Sequence, residues 1–357
     1  RRPFLSGVRA SGNPGAVQSL TFKQVFEAWE KFINLERPKH KSGPWHATLE
    51  RVRSYALTFF GPKKIDEITA SDFQQFWNWR KENYSRKMPS NGTLGRERTA
   101  ILALFKYAEK LGHVTSTPNT DAPKAKFRRR PTFTEAEWKK IALAVDKWVA
   151  DGSGKSTARD RFLAAHYFLF LANTGLRVGE LRGLRWGDLR PLETKDGKFV
   201  VADVRGKTGR REVVCLKGTG KLLNKVIERR KAELEKLHPD APEKWAVGNQ
   251  ELVFCHPDGS PIATFKRSFH SLLKFAKVAI DRDGMSRTIY SLRHLYATQR
   301  LYEDVSPFLL AQQMGTSVDM LERFYGQTIT SSAAAQITKT RKSQNLSSPN
   351  TIPNFED

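Results

Sequence analysis

The sequence predicts a mainly α fold with a small β-hairpin or sheet, built as a helical N-terminal domain followed by a mixed α+β domain. Three observations predict it. Apolar residues recur at three- and four-residue steps through most of the chain, the period of a helix with one buried face. A proline-rich, basic stretch without any period interrupts that patterning at residues 113–131. Beyond it, two runs rich in β-branched residues, 199–204 and 212–216, flank a glycine-containing tip. At 357 residues, with 22 Phe and 8 Trp, the chain holds apolar material for two cores.

In chain order, residues 1–19 are Gly-, Ser- and Arg-rich and read as a basic arm. Helical patterning starts behind Thr21, a good N-cap, with Phe22, Val25, Phe26, Trp29, Phe32 and Ile33. A second helix carries Leu49, Val52, Tyr55, Ala56 and Phe59. A third opens on the capping-box-like Thr69-Ala-Ser-Asp72 and presents Phe73, Phe76, Trp77 and Arg80. A fourth runs from Thr99 and stops at Gly112. These helices define a domain over 20–112, and its aromatic stripes read as core rather than as base-stacking platforms. Residues 113–131 read as a linker, whose Lys124, Lys126, Arg128, Arg129 and Arg130 suit contact with a phosphate backbone.

The second domain is expected over 132–338. It opens on Thr134-Glu-Ala-Glu137 and includes a long apolar helix over 162–172. Then follow the hairpin 199–216 with basic Arg205, Lys207, Arg210 and Arg211, a short candidate strand at 252–254, and helices at 265–280, 293–302, 307–314 and 319–325. Residues 339–357 are Ser-, Asn- and Pro-rich and read as a mobile tail. The stretch Gly152-Ser-Gly-Lys-Ser-Thr157 imitates a phosphate-binding loop. It has Val149 where the loop needs its first Gly, and it follows a helical rather than a strand pattern, so nucleotide binding is set aside.

Charge narrows the function. Sixty-one Lys and Arg against 37 Asp and Glu give a net +24, a field that attracts polyanions, with counterion release converting it into affinity for nucleic acid. Cys215 and Cys255 lie far apart without a C-x-x-C partner, which argues against a disulfide framework or zinc site and for reduced thiols in a cytoplasmic protein. No apolar run is long enough to span a bilayer, and no secretory signal opens the chain. The chain starts at Arg1, which leaves an upstream domain open. No carboxylate cluster or metal-ligand spacing stands out, so no cofactor is expected.

Four segments of the second domain gather residue types useful at a phosphodiester. They are Thr174-Gly-Leu-Arg177-Val-Gly-Glu180-Leu181, Gly206-Lys207-Thr208-Gly209, Tyr290-Ser-Leu-Arg293-His294, and Met314-Gly315-Thr316 with Phe324-Tyr325-Gly326. These boxes resemble those of the tyrosine recombinases, the phage-integrase family that includes the Xer and Cre enzymes. The resemblance covers about 132–330 by motif, and the N-terminal helices resemble the family's core-binding (SAM-like) domain. It implies a helical core-binding domain plus a mixed α+β catalytic domain. It also implies that Arg177 and Arg293 are the catalytic arginines, Lys207 the catalytic lysine, and Tyr325, nine residues after Thr316, the nucleophile.

Chemistry supports those roles independently. A tyrosine hydroxyl has an ordinary pKa of about 10 and must lose its proton to attack phosphorus. Charge gathering on the non-bridging oxygens suits two planar, bidentate guanidiniums better than lysines. The departing 5′ oxygen needs a proton, for which Lys207 is a plausible donor. A phosphotyrosine conserves the broken bond, so rejoining needs neither ATP nor metal. Glu180 reads either as a supporting carboxylate or as a surface acid paired with Arg177. His294 reads as either structural or active-site, because adjacent helical residues diverge.

Two positions depart from the family pattern. Tyr290 stands where a His is usual, and Thr316 where His or Trp follows the Gly. Hydroxyls donate or relay hydrogen bonds but do not take a proton near neutral pH as imidazole does, so the base for Tyr325 is left unnamed. The resemblance further implies a clamp around double-stranded DNA with inverted-repeat core sites. It implies a homodimer on each site and a homotetramer in the synapse, with an accessory DNA-bending or directionality factor admitted and the bacterial nucleoid as location. Integration or excision of a mobile element or phage is the expected role. A catalytically retired DNA-binding module and a type IB topoisomerase-like relaxing enzyme are the alternatives; an RNA-binding protein lacks its signatures.

Overall fold

The helix over Phe22–Glu36 (α1) forms behind Thr21, whose backbone N–H donates to Gln24 Oε1 at 2.9 Å while its hydroxyl accepts from the Gln24 N–H at 3.2 Å. In the computed structural model, residues 19–36, 43–124, 131–154, 156–206 and 209–324 are described. The chain divides into two units, Arg1–Arg128 and Arg129–Asp357, each with its own core.

In the first unit α1 is followed by α2 (Pro44–Arg51), one π-helical turn over Val52–Ala56, and α3 (Leu57–Phe60). Then come α4 (Ala70–Glu82), which carries the expected Thr69–Asp72 capping box, and α5 (Asn91–Lys110). Helix α5 starts a full two turns before the expected Thr99. Its first turns, Asn91-Gly-Thr-Leu-Gly, are poor helix formers, but Ser90 caps them and Leu94 anchors them in the core. The aromatic stripes are core: Phe22, Phe60, Phe73, Phe76, Trp77 and Phe105 are fully buried and meet ring to ring. Residues 113–124 form no helix or strand, yet they are not a free tether. The Trp77 indole donates to the Thr120 carbonyl at 2.9 Å, and Val114 and Thr120 are buried against the helices. Lys124 is exposed, whereas Lys126, Arg128, Arg129 and Arg130 include no residue among those described.

The second unit opens with α6 (Glu135–Asp151), behind the expected Thr134–Glu137 capping box, and α7 (Ala158–Thr174). Residues 152–154 turn between these helices, so the phosphate-loop imitation joins helix to helix. Helix α7 is apolar around most of its circumference and is packed by α6, by α9 (Thr219–Leu237), by α10 (Lys266–Phe275) and by α11 (Tyr290–Tyr302). A short α8 (Val178–Arg182) follows α7, α12 (Pro307–Met314) follows α11, and residues 318–324 are helical. The sheet is antiparallel in the order β1 (Leu189–Thr194), β2 (Gly197–Gly206), β3 (Gly209–Val214).

Three differences from the sequence reading have physical causes. Strand β1 was not expected: it is an edge strand that tolerates Pro191, and its mostly exposed side chains show no alternation. The candidate strand at 252–254 makes only the isolated bridge Arg185↔Leu252. Helix α9 was missed because its buried face includes Arg230 among the apolar positions Leu222, Leu223, Val226 and Leu234. Among the described residues, no helix is long and apolar enough to cross a membrane.

Arg287 fastens the start of this unit to its interior. Its guanidinium donates to the carbonyls of Thr132 at 2.8 Å, Val278 at 3.0 Å and Ile280 at 2.6 Å, and to both oxygens of Glu137. The side chain is only 3% exposed. Replacing it with Met takes the cation from Glu137 and the buried donor from three carbonyls, so Arg287→Met should destabilise this unit by about 3 kcal/mol. A urea unfolding midpoint indistinguishable from that of the wild type would refute this account.

Candidate functional site

The site is built on two glycine turns at helix C-termini. Gly175 ends α7 with φ +65°, and Gly315 ends α12 with φ +62°, backbone conformations that side chains resist. Both turns are crowded as well. A Cβ on Gly175 would meet the Tyr296 ring at 2.4 Å, and one on Gly315 would meet the Arg211 guanidinium at 2.8 Å. Carbonyls at a helix C-terminus lack partners within the helix and carry partial negative charge. Here arginines take them up.

Arg293, on the first turns of α11, donates to the Gly175 carbonyl at 2.6 Å and the Met314 carbonyl at 2.8 Å. Arg177, the N-cap of α8, donates to the Gly315 carbonyl and to Glu180 Oε1, the latter at 2.8 Å. The two arginines singled out from sequence therefore meet at the Gly315 turn, and Arg293 also holds the Gly175 turn. They differ in exposure. Arg293 is buried, and burial, opposed by Tyr290 and reinforced by Arg177, lowers its guanidinium from the ordinary value. Arg177 leaves a third of its side chain open.

Glu180 is buried and is therefore not a surface acid. It accepts from the Arg177 backbone N–H at 2.9 Å and from Arg211 Nη1 and Nη2 at 2.9 and 2.8 Å. Burial pushes this carboxyl up, but the hydrogen bonds from Arg211 and Arg177 outweigh it and hold it at about 2. Arg211 also donates Nε–H to the Gln313 carbonyl at 3.2 Å. Expected at the phosphate backbone, Arg211 instead has every guanidinium nitrogen on a protein acceptor. Arg210, its neighbour, is exposed and paired with Asp203 at 2.5 Å.

His294 and Arg293 diverge as adjacent helical residues should. The buried His294 ring lies edge-on to Tyr290 with centroids 5.1 Å apart and meets Phe324 at 5.7 Å. Phe324 immediately precedes Tyr325 in the sequence. Thr316 is half-buried beside Gly315, its N–H donating to the Ala311 carbonyl at 2.9 Å. Lys207 and Tyr325 lie outside the described residues, Lys207 between the paired Gly206 and Gly209. Among the described residues no group of three His, Cys, Asp or Glu side chains could hold a metal.

This guanidinium cluster on helix-end turns is carried by a helical unit with a three-stranded antiparallel sheet. Residues 131–328 match the model of the phage integrase family, and the chain belongs to that family. It is an enzyme of site-specific DNA recombination. No curated protein matches the sequence. Among solved structures, the Tn1549 transposon integrase (residues 82–397) in complex with circular intermediate DNA is similar at 19% identity, covering 90% of this chain and 100% of that one with a TM-score of 0.62. The XerH site-specific recombinase bound to a palindromic difH substrate gives 17% identity, 82% and 77% coverage and 0.60. A lambda integrase (75–356) dimer bound to a COC′ core site gives 18%, 85% and 95%, and 0.59. At these identities the similarity is one of fold.

The depressed Glu180 carboxyl has a stability consequence. Its folded value of about 2 lies below the ordinary 4.5, so the folded chain binds this proton less readily than the unfolded chain. The stabilisation is therefore complete above about pH 4.5 and is lost as pH falls towards 2. The stability difference between wild type and Glu180→Gln should shrink by about 3 kcal/mol across that window. Denaturation profiles at stepped pH measure it, and a constant difference would show that the carboxyl is not held down.

Proposed function

We propose that this chain cuts DNA at inverted-repeat core sites with Tyr325 as nucleophile, holding the scissile phosphate with Arg177 and Arg293. The observation that carries this reading is the meeting of the two arginines at the Gly315 turn, with Arg293 also on the Gly175 turn. A guanidinium has five N–H donors, so each arginine keeps donors beyond those anchored to protein carbonyls. Anchoring fixes both cations before substrate arrives, which is how electrostatic stabilisation avoids a reorganisation cost.

In the reaction, Tyr325 Oη forms a bond to phosphorus and the bond to the 5′ oxygen breaks. Lys207 supplies the proton to that oxygen, and the phenol proton leaves to solvent or to a neighbouring acceptor. The product is a 3′-phosphotyrosine and a free 5′ hydroxyl, and the reverse attack by a 5′ hydroxyl rejoins the strand. His294, packed between Tyr290 and Phe324, orders the end of the helix that leads into Tyr325. Tyr290 and Thr316 act as hydrogen-bond donors at the same phosphate. Arg210 and Lys124, both exposed, together with Lys126, Arg128, Arg129 and Arg130, contact the DNA backbone. A dimer on each site and a tetramer in the synapse follow from two-fold sites exchanged pairwise. Integration or excision of a mobile element is the role that suits the fold relatives, one a transposon integrase bound to circular intermediate DNA.

Random genomic fragments carrying internal nicks, incubated with the chain, should yield covalent adducts whose sequences report its site. Tyr325→Phe should bind that recovered duplex like the wild type and form no adduct. Adducts from the mutant would overturn the assignment of the nucleophile. Arg293→Lys should slow single-turnover adduct formation by at least about 100-fold, because a compact ammonium lacks the planar fork that spans two separate carbonyls while facing a phosphate. Unchanged rates in the lysine variant would remove Arg293 from the site.

A further inference from the structure

The two adjacent arginines of β3 look alike in sequence and do opposite things. Successive side chains on a strand face opposite ways. Arg210 is 65% exposed and pairs with Asp203 on the surface. Arg211 is 13% exposed and grips both oxygens of Glu180, the same carboxylate that binds Arg177. The backbone makes room for this pair on both sides. A Cβ on Gly315 would sit 2.8 Å from the Arg211 guanidinium, and a Cβ on Gly206 would sit 2.7 Å from Glu180 Oε1.

We propose that Arg211 is a positioning residue of the cleavage reaction, neutralising Glu180 so that the positive charge of Arg177 stays available to the scissile phosphate. The inference rests on the reading that Arg177 binds that phosphate. The charges are unequal in number: two guanidiniums and one carboxylate. Arg211 takes both carboxylate oxygens in a planar fork, the stronger geometry, while Arg177 makes a single side-chain bond to one of them. Without Arg211, Arg177 is the remaining guanidinium on the buried carboxylate among the described residues. That pair is then neutral, and Arg177 is drawn onto Glu180 rather than onto DNA. Glu180 therefore orients Arg177 through its backbone N–H and side chain, and Arg211 prevents that orientation from costing the site a charge.

The test compares Arg211→Met in two backgrounds, using a nicked suicide duplex that carries the site recovered from wild-type adducts. In the natural background the substitution should slow adduct formation at least about thirtyfold. In the Glu180→Gln background, where no carboxylate remains to be neutralised, it should cost less than about threefold. Equal losses in the two backgrounds would overturn the proposal. If Arg211→Met does not fold alone, the comparison of Glu180→Gln with the double variant decides, since the double variant buries no unpaired carboxylate. Duplex binding at stepped salt separates a direct phosphate contact. In the Glu180→Gln background, where no carboxylate draws Arg177 away, the slope of log affinity against log salt should be unchanged by Arg211→Met, and a slope smaller by about one would overturn the proposal. Arg177→Ala is the control for the underlying reading: if it cleaves like the wild type, that reading fails, whatever Arg211 does.

Discussion

One buried carboxylate ties the site together. Glu180 comes from the short helix after the Gly175 turn, yet its partners come from there and from the β-hairpin, and the hairpin arginine reaches on to the end of α12. An unpaired buried carboxylate is costly enough to unfold its surroundings, so these three segments cannot drift apart independently. The requirement is stricter than packing alone would impose. Apolar burial is non-directional, whereas a carboxylate with four hydrogen bonds is satisfied only where all four donors meet it.

The arginines that surround this carboxylate exploit a property of helices rather than of any particular side chain. Every helix ends in carbonyls that the helix cannot satisfy, and a left-handed glycine exposes them at the turn. Helices α7 and α12 offer the carbonyls of Gly175, Met314 and Gly315, and the two arginines close them. The cations are thereby held by fixed dipoles in a partly dry setting, where water would otherwise compete for them.

The sequence exposed the fold and the site to different depths. Helices with a clean apolar face and a capping box, α4 and α6 above all, were legible because local chemistry alone determines them. Helix α9 was not, since Arg230 sits on its buried face and, besides Glu233 one turn on, is satisfied by Glu251 and the Pro257 carbonyl, both distant in sequence. Arg177 and Arg293 were legible because they sit in compact boxes whose glycines answer a local backbone need. Arg211, expected at a phosphate, is turned onto Glu180 and the Gln313 carbonyl. Its burial depends on Glu180, 31 positions away, and nothing local distinguishes it from Arg210. The alternation of strand faces was the available signal, and it says that the two must differ without saying which one turns inward.

That alternation carries a further meaning for the hairpin. Strand β3 pairs with β2 from Gly206↔Gly209 onward, with Arg211 opposite Val204 and Arg210 opposite Arg205. Inserting or deleting one residue between the turn and Arg211 exchanges the two arginines, sending Arg210 inward and the Glu180 ligand to solvent. Hairpin length is thus a matter of parity. Changes of two residues keep Arg211 on the face of Glu180, while every single step turns it away.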